Sequence, residues 1–133
     1  MATKKIFISY DYENDRHYKN LLLAWDANRE FDFYLNDQSV DVSVDSTNAA
    51  AIKRVISAKI NESTYFLCLI GKKTHDSNWV AWEINKAIEL NKKLIAVKID
   101  NGNISPSEIL GVNASWAMSY TFESIKKAIE DAR

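Results

Sequence analysis

The feature that most constrains this chain is a set of three apolar runs, at residues 6–8, 65–70 and 94–99. None of them alternates apolar with polar side chains as a strand with one wet face would. Each therefore reads as a strand covered on both faces. Between the runs lie segments with helical periodicity. Residues 16–28 carry Tyr18, Leu21, Leu22 and Trp25 on one stripe, with the polar residues 11–15 in position to cap it. Ser46, Thr47 or Asn48 can cap a helix to about Ile60, with Ile52, Val55, Ile56 and Ile60 facing inward. A third helix starts at Asn78 or Trp79 and runs to about Asn91, with Val80, Ile84, Ala87 and Ile88 on its core stripe. Phe122, Ile125, Ile129 and Ala132 mark a last helix. Short strands are expected at residues 31–35 and, on an edge, at 116–119. Alternation of strand and helix calls for an α/β fold with a mainly parallel sheet of four or five strands and helices on both faces.

The 133 residues suit a single domain spanning 1–133, with neither an internal repeat nor a low-complexity tract. Residues 36–47 hold Asp37, Asp41 and Asp45 without apolar periodicity and read as a surface loop. In sheets of this type ligands bind beyond the carboxyl ends of the strands. Those ends are Ser9-Tyr10, Leu35-Asn36, Ile70-Gly71 and the start of the Trp79 helix.

Several chemistries are excluded or made improbable by composition. With three glycines, at 71, 102 and 111, neither a dinucleotide fingerprint nor a P-loop can be written. Two well-separated histidines and one cysteine, Cys68, offer no zinc cluster and no intrachain disulfide. The three loop aspartates lack the spacing and turn glycine of a calcium loop, so no metal site is expected. Seventeen basic residues against eighteen acidic ones, with no long basic block, give no nucleic-acid footprint. No apolar stretch suits a signal peptide or a membrane span, which points to the cytoplasm. A phosphate-accepting receiver would need an acid at the end of the third strand, where this chain has Ile70-Gly71.

One helix start breaks the local rule. Trp79, Trp82 and Glu83 fall at i, i+3 and i+4, so two indoles and a carboxylate share a strip beside the core stripe. In one reading the indoles finish the core edge while Glu83 complements the helix dipole and pairs with Lys86. In the other the strip is a pocket wall.

Four segments, in order, resemble the TIR-like family that includes the ThsB proteins of Thoeris anti-phage defence. They are Lys5-Ile6-Phe7-Ile8-Ser9-Tyr10, Ser46-Thr47-Asn48 leading to Ile52-Lys53-Arg54, Leu69-Ile70-Gly71, and Ser77-Asn78-Trp79-Val80-Ala81-Trp82-Glu83-Ile84. The resemblance covers residues 5–99 and implies a flavodoxin-like three-layer sandwich. It also implies cleavage of the nicotinamide–ribose bond of NAD, with NAD as substrate and no further cofactor. The product is then an ADP-ribose-derived signal, linear or cyclic, that reaches a downstream effector, and the protein a homo-oligomer. Trp79 and Glu83 match the family's W-x-x-x-E arrangement, which makes Glu83 the catalytic acid. Ser9 and Tyr10 match the position that lines the same pocket, and Trp82 joins them as a substrate-binding residue. Trp116 is a candidate for a further aromatic. A non-catalytic adaptor, acting through self-association or nucleotide binding, is the other function this family allows.

Overall fold

In the computed structural model, residues 3–26, 30–35 and 42–133 are described. The five strands are β1 (Lys4–Ser9), β2 (Phe31–Leu35), β3 (Tyr65–Ile70), β4 (Lys93–Lys98) and β5 (Ser115–Ala117). They form one sheet in the order β2-β1-β3-β4-β5, and every neighbouring pair is parallel. The four helices are α1 (Tyr12–Trp25), α2 (Ala49–Glu62), α3 (Asn78–Glu89) and α4 (Phe122–Asp131). The order 2-1-3-4-5 reverses direction between β1 and β3, and such a switch point opens a crevice at the carboxyl ends of those strands.

The apolar runs are buried as their pattern requires. Ile6, Ile8, Leu67, Leu69, Ile95 and Val97 point to one face and join residues of α1 and α4 in one core. Phe7, Phe66, Cys68, Ile70 and Ala96 point to the other, against Ile56 and Ile60 of α2 and Val80, Ile84 and Ala87 of α3. Period-two alternation thus feeds two cores from the same strands. Phe7 and Phe66 stack across β1 and β3 with centroids 5.8 Å apart.

Helix ends follow local chemistry. Ser77 Oγ accepts from the Val80 amide at 3.2 Å and fixes the start of α3, while Asn91 with φ of 58° ends it in the left-handed region that asparagine tolerates. Among the described residues no helix is long and apolar enough to cross a membrane.

Three expectations about the helices need correcting. The first helix begins at Tyr12 rather than Arg16, because the Asp15 amide already bonds the Asp11 carbonyl at 2.8 Å, and it ends at Trp25. Its buried positions are Asp15, Lys19 and Leu22, and Leu21 is exposed. Val55 of α2 is likewise exposed, since Ile52, Ile56 and Ile60 already complete the inward stripe. Asp37 and Asp41, in the expected loop, lie outside the described residues.

Candidate functional site

β1 delivers Ser9 to the switch point with its side chain on the α2/α3 face, and α3 brings Glu83 there on its second turn. Ser9 is fully buried and Glu83 is 4% exposed, and the Ser9 hydroxyl donates to Glu83 Oε1 at 2.7 Å. A near-fully buried acid is unusual unless it is paired. Lys86 instead pairs with Glu89 at 2.7 Å, so the surface ion pair considered for Glu83 is not formed.

The two indoles separate in role. Trp79 Nε1 donates to the Val42 carbonyl at 2.5 Å, which ties α3 to the segment before α2. Trp82 packs edge-on against Trp79 at 5.9 Å, and the ammonium groups of Lys53 and Lys86 each stand 5.8 Å from its ring. A concavity of about 270 Å³ is lined by Tyr10, Lys73, Ser77 and Trp79 together with the chain from Asp11 to Asn14. Of the five residues expected around one hollow, Tyr10 and Trp79 line it. Ser9, Glu83 and Trp82 do not line it: Ser9, next to Tyr10 in sequence, and Glu83, four residues after Trp79, are buried, and Trp82 stands beside Trp79. Trp116 lies on β5, at the far edge of the sheet, and packs against the α2/α3 core.

Asp15 is a residue that sequence reasoning missed. It is 4% exposed, on the α1/α4 side of the same switch point, and its Oδ2 accepts from Thr74 Oγ1 at 3.3 Å. Thr74 Oγ1 in turn accepts from the Gly71 amide at 2.8 Å. A Cβ on Gly71 would stand 2.2 Å from Asp15 Oδ2, so the glycine is what lets the carboxylate lie against the end of β3. Burial, reinforced by the charge of Asp11 and opposed by the Thr74 hydrogen bond, raises the Asp15 pKa. The only sequence signal was an acid four residues before Lys19 within a polar stretch, which pattern alone assigns to capping.

Cys68, paired in register with Ser9, responds to both acids. Burial first, then the charges of Glu83 and Asp15, push its thiol pKa up, so it behaves as an apolar side chain. His75 is more enclosed than a solvated loop histidine. Its Nε2 stands 3.4 Å from Asp76, and its buried Nδ1 has no hydrogen-bond partner among the described residues. Among those residues no group of three or more histidine, cysteine or acidic side chains is placed to hold a metal.

Comparison with known proteins gives this arrangement a family. Residues 7–104 match the model of the Thoeris protein ThsB, TIR-like domain. A Bacillus cereus (strain MSX-D12) protein named as a candidate cyclic ADP-D-ribose synthase, ThsB1, is 34% identical over 98 residues, covering 70% of this chain and 50% of its own. The chain thus spans about half the length of that curated relative. Among solved structures, the TIR domains of the activated Roq1 resistosome recognising the effector XopQ align with a TM-score of 0.51 at 19% identity, covering 74% of this chain and 60% of that one. A 2-desoxiribosyltransferase from Leishmania mexicana aligns with a TM-score of 0.63 at 15% identity, covering 93% and 95%. At these identities the two structures speak to the fold alone. The match over residues 7–104 settles membership: the chain belongs to the ThsB TIR-like domain family of Thoeris systems.

Proposed function

We propose that this protein cleaves the nicotinamide–ribose bond of NAD and releases an ADP-ribose-derived signal, linear or cyclic, that activates an effector in a Thoeris-type anti-phage response. The observation that carries the reading is the buried Ser9–Glu83 pair at the switch point, one helical turn behind Trp79. Family membership and the name of the Bacillus cereus relative support it.

Departure of nicotinamide leaves an oxocarbenium-like ribose, and a fixed carboxylate stabilises that developing charge as in glycoside hydrolysis. Glu83 has that role. Ser9 holds the carboxylate in place from below the helix, so little reorganisation accompanies the charge change. Tyr10 and Trp79 present ring surface to the hollow, and an indole face can stack a pyridinium for about 0.5 to 2 kcal/mol. The start of α3, whose Asp76–Ser77 turn borders the same hollow, favours phosphate. Nicotinamide is a neutral leaving group, so the step needs no general acid.

The test is nicotinamide release by purified protein, with and without a phage trigger, for wild type and Glu83→Gln. Loss of transition-state charge stabilisation should cost about 3 kcal/mol or more, on the order of a hundredfold in rate. Turnover by Glu83→Gln at the wild-type rate would remove Glu83 from the mechanism. If neither form consumes NAD when triggered, the non-catalytic adaptor replaces the enzyme.

A further inference from the structure

A second concavity, of about 490 Å³, opens on the α1/α4 side of the switch point. It is lined by Asn14, Asp15, Gly71, Lys72, Lys73 and Asn103 among others. Asn14 and Lys73 also line the hollow beside Trp79, so the two concavities meet at a shared rim.

Three observations say what would fit there. Asp15 is nine-tenths buried yet lines this concavity, and its Oδ2 accepts a long, 3.3 Å hydrogen bond from Thr74. A carboxylate that lines a concavity can accept further hydrogen bonds from a ligand's hydroxyls. Lys72 and Lys73 are exposed neighbours at the mouth, and neither makes an ion pair among the described residues. Two adjacent ammonium groups outside any close ion pair suit phosphate oxygens, although Asp100 lines the same concavity. Gly71 lets the chain pass close to the Asp15 carboxylate, where any Cβ would evict it.

We propose that this concavity is a second subsite for the same nucleotide, with Asp15 accepting from ribose hydroxyls and Lys72 and Lys73 meeting the phosphates. A carboxylate is a natural acceptor for a ribose diol. The nicotinamide ribose then lies at Trp79 and Glu83, the pyrophosphate crosses the rim at Lys73, and the adenosine ribose reaches Asp15. This assignment rests on the reading of NAD as substrate.

The probe is ADP-ribose, which lacks nicotinamide and is not cleaved at that bond, titrated calorimetrically into wild type, Asp15→Asn and Lys72→Ala. Loss of one hydrogen bond to a charged acceptor should raise the Kd for Asp15→Asn about tenfold. Lys72→Ala, a surface change that leaves the fold intact, should raise it about threefold, with the difference from wild type shrinking at high salt. Inorganic pyrophosphate separates the two contributions, because its binding should weaken in Lys72→Ala and not in Asp15→Asn. Wild-type ADP-ribose affinity in both variants, or no binding by wild type at millimolar concentration, overturns the subsite. The two proposals fail separately. If ADP-ribose binding responds as expected while wild type never releases nicotinamide, the subsite stands and the cleavage reading falls.

Discussion

On the α3 face of the switch point a buried carboxylate, Glu83, meets a fully buried hydroxyl donor at 2.7 Å, whereas on the α1 face Asp15 is equally buried and receives its hydroxyl at 3.3 Å. The α3 acid is gripped by the end of β1. The other is held mainly by the space a glycine leaves free. A rigidly held acid suits charge stabilisation in a transition state, and a loosely satisfied one suits a ligand that arrives with its own donors. The ends of β1 and β3 thus hold two helix-borne acids, to which the proposals above give different duties.

The comparison can be broken at Ser9 with the largest effect on stability. Ser9→Ala leaves the buried Glu83 carboxylate short of a donor, which should cost about 2 to 3 kcal/mol and be measured as a lower urea midpoint with unchanged m. A smaller loss, about 1 to 2 kcal/mol, is expected for Gly71→Ala, because the new Cβ would displace the Asp15 carboxylate. Adding Asp15→Ala removes the obstructing group, so the double mutant should recover part of that loss. Simple additivity of the two changes would show that the Gly71–Asp15 contact carries no energy.

The smallest effect is one of slope. The Asp15 pKa is raised above 3.8, so protonation favours the folded state and this residue's contribution declines as pH climbs from there through the raised value. Above it the ionised side chain is a constant cost. Asp15→Asn cannot titrate, so its melting temperature relative to wild type should rise across that interval and then level. A difference that stays flat, or falls with increasing pH, would show that burial does not penalise the ionised Asp15.

The first of these acids was legible in the sequence and the second was not. Trp79, Trp82 and Glu83 share a helical strip beside the core stripe, so periodicity singles them out, while both indoles also pack against the α2/α3 core as the first reading expected. The three apolar runs likewise carried the parallel sheet, because strands buried on both faces leave few alternatives. Asp15 sits in the polar stretch from Asp11, where capping explains every residue, and its burial follows from contact with Gly71, 56 positions later in the chain. Lys19 was hidden for a related reason. Its side chain is buried with the ammonium 5.6 Å from the Tyr10 ring, a cation–π contact that a pattern of apolar residues does not reveal. The exposed Leu21 and Val55 show the converse, since periodicity marks a face without saying how far the neighbouring elements cover it.

The most direct test of the division between the two acids is steady-state nicotinamide release over a range of NAD concentrations, run on wild type, Glu83→Gln and Asp15→Asn, with thermal melting of each. Glu83→Gln should melt within about 1 kcal/mol of wild type and lose on the order of a hundredfold or more in kcat. Asp15→Asn should show its loss in KM, by about tenfold, with kcat much less affected. A folded Glu83→Gln that keeps its kcat, or an Asp15→Asn that loses kcat as severely as Glu83→Gln should, would contradict the account.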